Sequence, residues 1–415
     1  MNKRKKLIVI GGGAAGFFCA INAARSCNDL DVMILEKTTK LLTKVKVSGG
    51  GRCNVTHQSE AVEDMIDAYP RGKYFVKKTL HQFSSSDTIT WFNDRGVKIK
   101  EEPDGRMFPE SDQSQTIIDC LMMEAEKYGV SIKTKAEVTS VSKGNEFFEI
   151  AITDEHKKDS IYQANYLCIA VGGYPKENGF EWLRQLGLGI VPPVPSLFTF
   201  NIPDKNLHQL MGVSNKDTIV KVTKLKMQEE GPVLITHWGL SGPAILKLSS
   251  RAARELHEMN YSFEIVLNWV PSFHESAMLE NLKTYKTLNT RQYIHSKNPF
   301  ELTSRLWNYL LGKAGVTQET TWANIPQALM VKLSKTLCGD TYQVEGKTTF
   351  KEEFVTAGGI RLDEIDPATM QSKKVPGLFF AGEVMDVDGV TGGYNFQHAW
   401  SSGWIAANAI CNLVK

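Results

Sequence analysis

Leu7-Ile8-Val9-Ile10-Gly11-Gly12-Gly13-Ala14-Ala15-Gly16 is the stretch on which the fold turns. Four apolar residues predict a short buried strand, and the glycines end it. A helix is expected from Ala14 to about Ser26, then a second strand over residues 31–35, which makes a βαβ opening. Gly11, Gly13 and Gly16 fit G-x-G-x-x-G. In that pattern the first glycine permits a tight turn, the second lets the backbone approach a diphosphate, and the third lets helix and strand pack closely. The helix start adds unpaired N–H groups and a partial positive charge. Glu36 closes the second strand, about 20 residues beyond Gly16, where its carboxylate can accept both ribose hydroxyls and repel a ribose phosphate.

Three further stretches extend this reading. Ser48-Gly49-Gly50-Gly51-Arg52-Cys53-Asn54 places three adjacent glycines in one loop. Ordering them costs more backbone entropy than any other residue type, so a flat ligand or a phosphate against the backbone is expected there, with Arg52 as a phosphate partner. Cys53 has no neighbouring thiol and reads as a non-redox cysteine. Residues 166–171 form an apolar strand running through Ala170 and Val171 into Gly172-Gly173. Near the C-terminus, an apolar strand over residues 378–381 ends in Gly382-Glu383, and Gly392-Gly393-Tyr394-Asn395 opens a long final helix. Its positive end suits something electron-rich. Phe396, Trp400 and Trp404 recur every four residues along it, as a core stripe does.

Around these motifs the composition is that of a globular chain. It has 415 residues, and at roughly 150 residues per domain that predicts about three units. Lys and Arg number 48 against 46 Asp and Glu, a balance that argues against a nucleic-acid or membrane partner on charge alone. The seven cysteines contain no C-x-x-C pair, which excludes a zinc or disulfide framework and suits a cytoplasmic protein. The basic Met1–Lys6 start resembles a signal peptide, but glycines interrupt the apolar run that follows. Pro192, Pro193, Pro195 and Pro203 suggest an exit linker. Beyond it lie β-like runs, then three helical stretches, the first starting at a Ser272/Glu275 capping box and the second at Asn298-Pro299.

Together these features resemble FAD flavoproteins of the glutathione-reductase type. The match narrows with Thr236-His237-Trp238-Gly239-Leu240-Ser241-Gly242-Pro243, Thr356-Ala357-Gly358-Gly359 and the run from Ala381 to Gln397, in that order. That set resembles a bacterial flavoprotein family that includes a bile-acid enone reductase and members labelled aminoacetone oxidase. The resemblance implies an α/β fold: a Rossmann-like FAD-binding domain with an inserted β-barrel and a helical subdomain. The boundaries expected are 1–192 with 355–415 for the FAD domain, 193–271 with 340–354 for the barrel, and 272–339 for the helices. The expected cofactor set is Gly11, Gly13, Ala14, Ala15, Gly16, Glu36, Lys37, Ser48, Gly49, Gly50, Gly51, Arg52, Asn54, Val138, Ala170, Val171, Gly172, Gly173, Gly382, Glu383, Gly392, Gly393, Tyr394 and Asn395. His398 stands where that family more often carries a larger aromatic.

No second dinucleotide motif follows, so NADH or NADPH is expected to bind transiently near the flavin, and no metal is expected. Arg106, Tyr394 and His398 are the catalytic candidates, with His57 behind them. The expected function is an FAD-dependent oxidoreductase passing hydride from NAD(P)H to a small organic acceptor such as an enone. Two alternatives stay open: an amine oxidase using oxygen, and an FAD-binding sensor or RNA-modification protein.

Overall fold

The computed structural model describes residues 4–59, 61–349 and 355–415. The first three residues of the basic N-terminus lie outside that description. The chain divides into two compact units, residues 1–196 with 351–415 and residues 197–350.

The first unit is built on a parallel five-stranded sheet. Its strands run in the order Leu378–Phe380, Tyr166–Ile169, Lys5–Ile10, Leu30–Leu35 and Ser131–Lys133. Leu7, Ile8 and Val9 have no exposed surface, as a central parallel strand covered on both faces requires. The helix after the first turn spans Ala14–Ser26 and packs along the final helix, Tyr394–Val414. The Phe396/Trp400/Trp404 stripe is core: Trp400 is fully buried among Phe18, Phe92 and Phe396. Its indole N–H donates to the Val55 carbonyl at 2.9 Å. Gln397 is also fully buried, yet its carbonyl oxygen accepts from Thr56 and Thr88 and its amide donates to Ser401. A satisfied network of this kind fixes the helix in one register. An antiparallel meander of Ala136–Lys143, Phe148–Asp154 and Asp159–Ala164 lies beside the sheet in the chain.

The proline cluster is not a linker at its start. Ile190–Ser196 is a strand paired antiparallel with Val355–Ile360, and the register jumps between Val191 and Val194. Pro192 and Pro193 sit in that jump. Proline lacks the donor a regular ladder needs, and a bulge in a two-stranded ribbon does not ask for it.

The second unit is a seven-stranded sheet with helices. Its edge strands are Asp340–Glu345 and Lys347–Thr348, which are neighbours in sequence. Gly346 between them donates to Tyr261, next to the strand paired with one edge, at 2.8 Å and accepts from Asn201, on the strand paired with the other, at 3.2 Å. The two edges therefore meet, and the sheet curls on itself. One apolar cluster joins strand residues Val220 and Ile265 to helix residues Met278, Leu306 and Leu333.

Two helix starts differ from expectation. Glu275–Leu288 is capped by the His274 side chain, which accepts from the Ala277 N–H, and not by Ser272. The next helix is Ser304–Ala314, capped by Thr303. Asn298 turns its side-chain oxygen to the Phe300 N–H at 2.9 Å, and Glu301 takes φ +58, so the backbone leaves the helical path before Thr303.

Candidate functional site

The first glycine turn is shaped by close packing on two sides and openness on the third. A Cβ on Gly11 would collide with the Ala170 carbonyl, and one on Gly16 with the Gly11 carbonyl. In front of Gly13 there is no atom within 4 Å. Gly13 is the N-cap of the Ala14–Ser26 helix, which has no side-chain cap and no acid in its first turn. Uncapped N–H groups facing open space are what an anionic diphosphate requires.

Glu36 is anchored there. Its carboxylate accepts from the Gly12 N–H at 2.9 Å, and from the Thr38 N–H and hydroxyl at 2.8 and 2.9 Å. These bonds orient the group and leave it lone pairs to spare. It lines a cavity of about 420 Å³ together with Gly11, Lys37, Val138, Val171, Tyr174 and Trp182. Sequence reasoning named the first four of these partners and missed the two aromatic rings. Trp182 donates its indole N–H to the Tyr174 hydroxyl at 3.3 Å, and burial raises the Tyr174 phenol above its ordinary pKa. The available signal was an aromatic pair just beyond Gly172-Gly173, a polar-tipped wall for a flat base.

The second glycine run is a left-handed turn. Gly49, Gly50 and Gly51 have φ of +58, +69 and +86, and the last two face open space. The Ser48 hydroxyl donates to the Val45 carbonyl at 3.1 Å. Arg52 is already engaged: its guanidinium pairs with Glu102 at 2.9 Å and Asp112 at 3.5 Å and lies 4.0 Å over the Phe108 ring. A phosphate role would require it to leave those partners. Cys53 is fully buried, and burial pushes its thiol up to about 12, so it is no thiolate near neutral pH.

Gly172 and Gly173 face the end of the neighbouring strand. A Cβ on Gly173 would lie 2.8 Å from Glu383 Oε1 and collide with the Thr356 hydroxyl. Glu383 accepts from the Thr356 N–H at 2.9 Å and is ion-paired with Lys44, a residue the sequence reading did not single out. The Gly382 N–H donates to the Ser402 hydroxyl at 2.9 Å. Asn395 is committed to its own loop, donating to the Gly389 carbonyl and accepting from its N–H at 2.8 and 2.9 Å.

Two catalytic candidates are brought together and the third is set apart. His57 and Arg106 are cross-strand partners, and the His57 ring stacks on Tyr394 at 4.8 Å and 24°. His57 Nδ1 lies 3.2 Å from the Gly392 carbonyl. Arg106 is held by Asp104 at 2.7 Å. His398, one turn along the helix from Tyr394, is 2% exposed, and among the described residues neither ring nitrogen has a hydrogen bond of normal geometry. Burial drives its pKa down to about 4, and a nearby Gly382 carbonyl recovers little of that. His398 is thus neutral near pH 7 and cannot act there as a cationic acid.

The site fits a flavin dinucleotide. Asn54 Oδ1 and Thr356 Oγ1 are buried without a partner among the described residues, one beside Gly393 and the other beside Gly173. Such polar atoms call for a ligand or solvent. The final helix starts at Gly393 with neither a side-chain cap nor an acid in its first turn. No group of three or more His, Cys, Asp or Glu side chains suited to a metal occurs among the described residues. Among those residues no helix is long and apolar enough to cross a membrane.

The chain is similar to the ribosomal RNA dihydrouridine synthases of Escherichia coli strain K12, at 31% identity with 98% of each chain covered, and of Haemophilus influenzae, at 29% with 99% of each. It is similar to the 3-dehydro-bile acid delta(4,6)-reductase of Clostridium scindens, at 26% identity over 97% of this chain and 98% of that one. Its fold matches the 3-ketosteroid-delta4-(5alpha)-dehydrogenase of Rhodococcus jostii RHA1, at a TM-score of 0.54, 14% identity and 97% of both chains. The family described as HI0933-like protein Rossmann domain matches residues 5–409, and the chain belongs to that family of FAD-dependent oxidoreductases.

Proposed function

We propose that this enzyme saturates a carbon–carbon double bond conjugated to a carbonyl. The observation that carries the reading is that two full-length relatives with unlike acceptors share this chemistry in their names. Dihydrouridine is uridine with its C5–C6 bond saturated, and a delta(4,6)-reductase removes ring double bonds of a 3-oxo steroid. Bound FAD supplies the hydride chemistry, with NADH or NADPH as the proposed donor.

In this reading the chain holds and orients. The Gly11–Gly16 turn and the helix start behind it meet the diphosphate, and Glu36 accepts the ribose hydroxyls. The loop Ser48–Gly51, with Asn54, Gly172-Gly173 and Gly392-Gly393, would hold the isoalloxazine. Arg106 polarises the substrate carbonyl, so that the β-carbon becomes electron-poor and accepts hydride. The α-carbon then takes a proton from Tyr394, whose ring is fixed by its stack with His57 and by Tyr69 edge-on at 5.9 Å. The product is the saturated carbonyl compound, two hydrogens heavier.

The acceptor class divides the reading in two. A steroid-like enone fits the bile-acid relative. A uracil ring in RNA fits the two relatives of higher identity, and the net charge of the inserted unit favours it. Residues 197–350 hold 17 Lys and Arg against 13 Asp and Glu, while the rest of the chain holds 31 against 33.

The test offers anaerobic, NAD(P)H-reduced holoenzyme a 3-oxo-4-ene steroid and unmodified ribosomal RNA, and reads flavin reoxidation and product mass. A gain of two hydrogens in either acceptor supports the reading. Reoxidation by oxygen alone, with amine-driven peroxide release, overturns it.

A further inference from the structure

The inserted unit carries a surface that the flavin site does not use. Between the helices Glu275–Leu288 and Ser304–Ala314, the residues Arg291, Tyr293, His295 and Lys297 alternate along one connection. Arg291 and Lys297 are exposed and form no ion pair among the described residues. The Tyr293 ring is 49% exposed and lies 5.6 Å from the His295 ring at a 37° tilt. His295 Nδ1 is buried without a partner among the described residues.

The backbone beneath is pinned. Tyr293 bridges to Thr321, the Ile294 N–H donates to Thr320 at 3.0 Å, and the Ile294 carbonyl accepts from the Trp307 indole at 3.0 Å. Ile294 itself is fully buried. Here the aliphatic Ile294 is inside while the neighbouring phenol ring faces out. Glu301 and Glu319 are the exposed acids nearest in sequence to this segment and to the strand it bridges.

An exposed ring flanked by unpaired cations on a fixed backbone matches what single-stranded nucleic acid needs: a π-face for a base and positive charge for the phosphates on either side. The excess of basic residues lies in this same unit. We propose that residues 291–297 form a contact surface for single-stranded RNA. Tyr293 stacks on a base, and Arg291 and Lys297 meet the neighbouring phosphates. This rests on the RNA form of the proposed function.

The experiment uses the full FAD-loaded chain and a labelled, uridine-rich single-stranded RNA, titrated across salt concentrations. The double variant Arg291→Ala/Lys297→Ala should reduce the slope of log K against log salt by about 1.4, since each phosphate left without its cation takes away about 0.7. Tyr293→Ala should weaken binding about tenfold at unchanged slope. Tyr293→Phe should retain wild-type affinity, because the stacking face survives. All three variants should reduce a small enone as the wild type does. Wild-type RNA binding by both Arg291→Ala/Lys297→Ala and Tyr293→Ala overturns this surface while leaving the RNA reading intact. A wild type that fails to bind RNA, or that prefers vesicles of anionic lipid, overturns both, and the small-enone assay then decides whether reduction itself stands.

Discussion

Two helices of the first unit begin in the same way and tolerate opposite things. Ala14–Ser26 and Tyr394–Val414 both start at a glycine, without a side-chain cap and without an acid in the first turn. Gly13 has φ −94 and open space before it. Gly393 has φ +96, and a Cβ there would lie 2.5 Å from the Thr56 carbonyl oxygen and 2.8 Å from Asn54 Oδ1. One glycine faces open space. The other lets the backbone pass through a crowded corner. A bare glycine in a sequence does not say which of the two it is.

The comparison breaks most easily at Gly393. Gly393→Ala forces an L side chain into the left-handed region and against backbone, so stability should fall by about 4 kcal/mol, read by urea unfolding of the apoprotein. A loss below about 1 kcal/mol would mean that the corner can relax.

His398, one turn further into the same helix, extends the contrast through pH. Its pKa is about 4 in the fold against 6.5 in the free side chain, so the unfolded chain binds the proton more readily. The stability from the neutral ring is fully present above pH 6.5 and is lost as pH falls towards 4, on the order of 3 kcal/mol in all. His398→Phe should flatten that part of the stability–pH curve. An unchanged slope would show that the ring is not the group responsible.

At Gly13 the expected change is in binding. Gly13→Asp supplies a preferred N-cap, so the apoprotein should keep its stability or gain roughly 0.3 kcal/mol. The new carboxylate meets the diphosphate, and FAD affinity should fall about 100-fold, or about 2.7 kcal/mol. Stoichiometric yellow cofactor in that variant would refute the assignment of the turn.

The helix Ser85–Asn93 is the control. It has a full capping box, with the Ser84 hydroxyl accepting from the Asp87 N–H and Asp87 reaching back to the Ser84 N–H. Ser84→Ala should cost about 1 kcal/mol and leave FAD affinity unchanged.

These contrasts mark what could be read in the sequence. The βαβ opening was legible because periodicity and glycine spacing act locally, and the helix from Ala14 to Ser26 is found where it was expected. Glu36, Lys37, Val138 and Val171 line the cavity. Tyr174 and Trp182 carried only the signal of their place just beyond Gly172-Gly173, and Lys44 carried none, because a ring or an amine that meets its partner only after folding is barely marked locally. Arg52 shows the same limit, since Glu102 and Asp112, which occupy it, lie 50 and 60 residues away. The proline cluster misled because the strand it joins, Val355–Ile360, lies some 160 residues further on.

The parallel sheet has a consequence for the timing of synthesis. Its edge strand, Leu378–Phe380, and the helix that packs on Ala14–Ser26 belong to the last forty residues of the chain. At about 5–20 residues per second, the ribosome delivers them on the order of tens of seconds after the first glycine turn. During that interval the apolar face of the first helix lacks its cover. Apolar surface that the folded protein buries is thus open to other chains until Tyr394–Val414 has been made.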